Sequence, residues 1–254
     1  MALVLSTAAV PCLMSRLCGA KRIIGFDNDW ARRLIGERVA FEAPPSLGNS
    51  LRMAQYLCPD PQKTDYLDML APTDADHAAI RALLSAHGVA EGQTMVVLAP
   101  FASARRSWKC WPLEYFGQVA AALHEEAGLL PVVVGAGRDK ETAEQLLGDG
   151  SVPGISLVGQ TDLGLILALL QQARAYIGID SGLTHLSAAL RCPTLAIFGP
   201  TDPRLSAPMG EHTRTIYHDL ACSPCHNRAA RCRNRECLLG ISPEEVITQV
   251  LALL

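Results

Sequence analysis

Asp180, Ser181, Gly182 and His185 crowd one short stretch between two apolar patterns. Ahead of them, residues 176–179 read as a short buried strand; behind them, Leu183, Leu186 and Leu190 recur at helical spacing. A strand therefore feeds a helix through a tight turn. Such a helix N-terminus offers unpaired N–H groups and partial positive charge to an anion, and Gly182 lets the backbone approach a phosphate closely. The next apolar run, residues 194–198, ends in a second loop, Gly199-Pro-Thr-Asp-Pro203, which carries Thr201. Two strand ends thus converge on one anion-sized pocket. A carboxylate such as Asp180 beside an anion costs repulsion unless it meets hydroxyls or a cation, so a polyol next to the phosphate is implied. His185, one turn into the helix, reads either as a satisfied structural residue or as a group facing that loop.

Lys109 closes a loop that starts at the carboxyl end of another strand, where a cation can reach a diphosphate; the alternative is a solvated lysine. Arg105 and Arg106, in the same loop, read as solvated charges. Val132-Val-Val-Gly-Ala-Gly-Arg-Asp139 is strand then glycine turn, short of a dinucleotide fingerprint because the third glycine is missing. Asp139 either caps the following helix or accepts hydrogen bonds from ribose hydroxyls. Cys222, Cys225, Cys232 and Cys237 could close a tetrahedral, structural zinc site, although their later spacings are shorter than in common zinc ribbons. Free thiols and labile disulfides are the other readings. Arg228, Arg231, Arg233 and Arg235 make this segment basic.

The elements that must position these groups alternate regularly. Strands are predicted at residues 95–99, 131–134, 156–158, 176–179 and 194–198, with helices at 112–124, 140–147, 163–174 and from Leu183 onward. Strands alternating with helices imply an α/β fold with a parallel, doubly wound sheet covered on both faces. Before them come a strand at 2–5, a helix at 8–17, a strand at 21–26, a turn-rich connection over 27–60 with a short helix at 50–57, and a helix at 74–87. After residue 198 a tail leads to a terminal helix, for which Ser242 is the N-cap, Pro243 the first helical position and Glu245 the partner in a capping box.

Length allows one or two domains in 254 residues, and 49% of them are apolar. The apolar run at 165–170 is far below the roughly 20 residues a membrane helix needs, so no transmembrane segment is expected. No basic residue precedes the apolar start, which speaks against a signal peptide. A net charge of −3 argues against non-specific nucleic-acid binding. Nine cysteines, an odd number with five scattered singly, point to a reducing compartment and a cytoplasmic protein.

Taken together, Asp180-Ser-Gly-Leu-Thr-His-Leu-Ser-Ala-Ala-Leu190, Phe198-Gly-Pro-Thr-Asp-Pro203, Lys109-x-Trp-Pro112 and the Cys222-Ser-Pro-Cys225 tail resemble glycosyltransferase family 9, the ADP-heptose:lipopolysaccharide heptosyltransferases, the tail being similar to heptosyltransferase II members. The resemblance implies a GT-B-like fold of two Rossmann-like doubly wound domains, the N-terminal one incomplete: residues 1–85 as an acceptor-side part and 86–254 as the donor-binding domain. It implies inverting transfer of heptose from ADP-heptose, or a related nucleotide sugar, to a lipopolysaccharide core acceptor at the membrane surface, with no required cofactor. Lys109 and the backbone of Ser181, Gly182 and Leu183 would hold the diphosphate, Asp139 would meet the nucleoside, and Asp180 and His185 match donor-site positions. Ser103 resembles a hydroxyl that contacts phosphate. The general base, by the same resemblance, belongs to βα units ahead of a segment like residues 2–26, and no residue here matches it; a binding module that holds ADP-sugar without transferring it is the alternative implied.

Overall fold

The computed structural model describes residues 2–4, 9–26, 35–40, 71–225 and 232–254. The chain divides into two compact units, Met1–Tyr66 and Leu67–Leu254. In the first, β1 (Ala2–Val4), β2 (Ile23–Phe26) and β3 (Glu37–Val39) form a parallel sheet in that order, with α1 (Ala9–Leu17) between β1 and β2. Ile23, Ile24 and Cys12 are buried there. β3 corrects the expectation of a turn-rich connection without a strand. Of its three residues only Val39 is buried, too little apolar pattern to register among flanking turn residues. The helix expected at 50–57 lies outside the described residues.

The second unit opens with α2 (Asp74–Ala86). Thr73 accepts from the Asp76 amide at 3.2 Å and the Asp76 carboxylate accepts from the Thr73 amide at 2.7 Å, a reciprocal cap that starts the helix. The Thr73 hydroxyl, which donates to the Asp76 carboxylate at 2.7 Å, and after it the Thr73 amide hold that carboxyl below its ordinary range. There follow β4 (Met95–Ala99), α3 (Leu113–Ala127), β5 (Leu130–Val133), α4 (Lys140–Leu147), β6 (Ile155–Ser156), α5 (Leu163–Gln172), β7 (Ala175–Ile179), α6 (Gly182–Ala189), β8 (Thr194–Phe198), α7 (Pro203–Ser206), β9 (Thr213–Tyr217), α8 (Glu236–Leu239) and α9 (Pro243–Leu251). All six strands run parallel in the order β6-β5-β4-β7-β8-β9.

Successive strand residues face opposite sides. Val96 and Leu98 of β4 join Phe116, Val119 and Leu123 of α3 and Val246 and Val250 of α9 in one core layer. Met95 and Val97 join Ile80 of α2, Leu169 of α5 and Tyr176 in the other. Both faces of the sheet are therefore covered, which is why its strands read as apolar runs rather than alternations.

Three expectations are corrected. β9 is an edge strand that the reading of residues after 198 as a plain tail passed over; only Ile216 in Thr-Arg-Thr-Ile-Tyr is buried, as an edge allows. Asp139 does not cap α4 with its side chain; its carboxylate turns back to accept from the Ala136 amide at 3.2 Å. At α9, Ser242 accepts from the Glu245 amide at 3.2 Å, but the Glu245 carboxylate reaches His218 at 3.1 Å, so the carboxylate is drawn to a histidine partner beyond its own helix.

Candidate functional site

β4 leads to β5 on one side of the sheet and β7 leads to β8 on the other, so the loops leaving their carboxyl ends diverge. This switch in direction opens a crevice, the place where ligands collect in open parallel sheets. A cavity of about 670 Å3 lies there. Ser103, Asp139, Ser181, Gly182 and Leu183 line it. Lys109, Asp180, His185 and Thr201 are not among its lining residues.

Lys109 is nonetheless tied to the cavity wall. It is 8% exposed, and its ammonium donates to the carboxylate of Asp180, the residue directly before Ser181. The solvated-lysine reading is thus overturned: the loop after β4 turns inward and its cation is neutralised by the turn after β7. The same ammonium lies 5.6 Å from the Trp108 ring centroid. His185 is exposed on α6. Thr201 is 6% exposed, and its hydroxyl has no hydrogen-bond partner among the described residues.

Ser181 stands at the N-cap of α6 but makes no side-chain cap; its hydroxyl goes to Thr184 Oγ1 at 3.2 Å instead. The first turn of α6 therefore lacks a side-chain cap where Ser181, Gly182 and Leu183 line the cavity, an arrangement suited to an anion. A Cβ on Gly182 would meet nothing within 4 Å, so the wall is open there. The cavity is also lined by Phe101, Val134, Leu163, Ile166 and Leu186, a mainly apolar surface fit for a flat ring system. A Cβ at Gly135 would come 2.5 Å from Phe101 Cδ2, so this glycine gives the phenyl ring its seat. Asp139 lies 3.6 Å from the Arg138 guanidinium at the same rim.

Phe101, Arg138 and residues 161–163 are wall residues that reading the sequence did not single out. Asp162 carried a usable signal, a capping carboxylate before the run 163–170; it accepts from the Leu165 amide at 2.9 Å and so starts α5 beside the cavity.

The cysteine-bearing tail packs on two of the site's loops. Ser223 donates to the Gly199 carbonyl at 2.6 Å, the Cys225 amide to the Pro200 carbonyl at 3.0 Å, and Arg235 to the Cys110 carbonyl. Cys222, Cys225, Cys232 and Cys237 line one cavity of about 650 Å3. Burial first, then the neighbouring thiols, push Cys237 up to about 11. Among the described residues no group of three or more His, Cys, Asp or Glu is gathered closely enough to hold a metal ion.

The family model for glycosyltransferase family 9 (heptosyltransferase) matches residues 1–235. Lipooligosaccharide heptosyltransferase 2 of Campylobacter jejuni is 30% identical over 161 residues, 61% of this chain and 49% of that protein. Lipopolysaccharide heptosyltransferase 1 of Pseudomonas aeruginosa is 27% identical over 95% of this chain and 70% of its own length. The chain thus spans between about half and 70% of these two relatives. Among solved structures, E. coli ADP-heptose lipopolysaccharide heptosyltransferase II superposes with a TM-score of 0.70 at 21% identity, covering 99% of this chain and 75% of that one. A family 9 glycosyl transferase from Veillonella parvula gives 0.73 at 17%, covering 100% and 73%. At these identities the likeness establishes the fold, the GT-B type of the heptosyltransferase structures. Among the described residues no helix is long and apolar enough to cross a membrane.

Proposed function

Because the chain belongs to glycosyltransferase family 9, we propose that it binds a nucleotide sugar, ADP-heptose first among candidates, and serves heptosyl transfer to a lipopolysaccharide core acceptor. One observation carries the reading: the uncapped start of α6 borders the same cavity as Ser103, Asp139 and an apolar slot, with the Lys109–Asp180 pair joined to that turn. The diphosphate sits against the amides of Ser181 to Leu183, the base occupies the slot framed by Phe101, Leu163 and Ile166, and Asp139 takes the ribose hydroxyls. Lys109 supplies the cation once its pairing with Asp180 is shared with phosphate.

In the reaction an acceptor hydroxyl attacks the anomeric carbon and the bond to the diphosphate breaks, with inversion at that carbon. Charge grows on the leaving diphosphate, and the helix N-terminus and Lys109 stabilise it there. The acceptor proton passes to a general base that we assign to no residue of this chain. Residues 1–85 are read as the acceptor-side part and 86–254 as the donor-binding part, in a protein working at the cytoplasmic membrane face. Calorimetry with ADP and ADP-heptose, beside a heptosyl-transfer assay, tests the reading. Binding without transfer supports the alternative of an ADP-sugar-binding module, and a folded sample that binds neither ligand removes both.

The tail thiols are a separate part of the proposal. Cys222, Cys225, Cys232 and Cys237 line one cavity, where burial and then the neighbouring thiols raise Cys237; a structural zinc would have to draw these four closer together than they stand, and would tie the tail to the loops it covers. Titration with Co2+ in place of zinc reads this directly: a thiolate-to-metal absorption band lost on Cys237→Ser supports it, and no band in the reduced protein rejects it.

A further inference from the structure

Tyr176 is fully buried in β7, yet its phenol reaches out of its own strand. Gly178, two residues on and on the same face, makes room: a Cβ there would lie 2.4 Å from Tyr176 Oη. The phenol meets Thr184 Oγ1 at 3.0 Å in the first turn of α6. Thr184 is itself 1% exposed and donates to the Ile179 carbonyl at 2.5 Å. A hydroxyl has one proton to give and two lone pairs to fill. With its proton committed to Ile179, Thr184 accepts from Tyr176 and from Ser181, which lies at 3.2 Å. One hydroxyl thus fastens the last strand residue, the turn and the helix start to each other, with every bond accounted for.

Neither Tyr176 nor Thr184 lines the cavity, while Ser181, Gly182 and Leu183 do. The knot also explains why Ser181 leaves α6 uncapped: its hydroxyl is used sideways, toward Thr184, rather than on a first-turn amide. We propose that Tyr176 is a positioning residue which, through Thr184, presents the amides of Ser181 to Leu183 to the diphosphate; this rests on the nucleotide-sugar reading above. A buried tyrosine that merely satisfied its own hydroxyl would change stability when altered, but not the geometry of the turn.

Three variants separate the two roles: Tyr176→Phe, Thr184→Val and Thr184→Ser. Loss of one net hydrogen bond's worth of preorganisation corresponds to a roughly fivefold to tenfold weaker Kd for ADP in Tyr176→Phe and Thr184→Val. Thr184→Ser, which keeps the hydroxyl, restores binding to near the parent value. Amide hydrogen exchange at Ser181 to Leu183 accelerates in the first two variants relative to β8, and does not in the third. Unchanged exchange at those amides overturns the proposal, as does unchanged ADP affinity in a parent that binds ADP. A parent that binds no ADP removes the nucleotide-sugar reading and with it the presentation of these amides to a diphosphate, so the proposal fails there too; the exchange data then report only the knot.

Discussion

The Lys109 ammonium donates to the Asp180 carboxylate, joining the loop after β4 to the turn after β7 where the two central strands of the sheet part. Both side chains are about nine-tenths buried. A charge held this deeply is tolerated because its partner is present, and removing either one leaves the other uncompensated.

Lys109→Ala is therefore expected to cost on the order of 3 kcal/mol of stability, and Lys109→Ala with Asp180→Ala together less than the two single losses added. Urea denaturation of the four proteins of this cycle checks it. ADP affinity falls more than roughly tenfold in Lys109→Ala, since a charge-assisted contact to phosphate is lost. An unchanged affinity takes Lys109 out of the site.

Gly199 directly follows β8, where the tail packs against it. A Cβ there would lie 2.5 Å from Leu238 Cγ and 3.3 Å from Cys237 Sγ, and Leu238 is wholly buried. Gly199→Ala should lower stability by about 1–3 kcal/mol, the range for overpacking a core that cannot move aside. A thermal melt shows it, and an unchanged Tm means that the tail lifts away without cost.

Two thiols set an alkaline limit. Burial pushes Cys192 up to about 11, and burial with neighbouring thiols does the same to Cys237, against an ordinary 9.0. The folded state thus holds these protons more tightly than the unfolded chain does. The stability they contribute is complete below about pH 9 and is lost as pH rises toward 11. Thermal melts across that window should fall in the parent and fall less in Cys192→Ala; equal slopes would assign the alkaline loss to other groups.

Trp111 anchors the loop behind Lys109. It is 2% exposed, donates from its indole N–H to the Ile241 carbonyl at 3.0 Å, and meets Phe116 edge-on at 5.1 Å. Trp111→Phe removes that donor and leaves the buried carbonyl unpaired, an expected loss of about 1–3 kcal/mol readable in urea.

What the sequence determined by itself was the order of strands and helices and the short stretch 180–183, because strand and helix periods and a glycine at a helix start are written in neighbouring residues. Strands β3 and β9 escaped it, since three residues or an edge position leave too little apolar pattern to read. Only the tertiary structure decided that Lys109 is buried against Asp180 rather than solvated, that Asp139 turns back on its own loop, and that Tyr176 reaches Thr184 across Gly178. Lys109 and Asp180 stand far apart along the chain and become neighbours because β4 and β7 pair side by side in the sheet. Which side chains meet across that seam depends on strand order, a property that no local run of residues encodes.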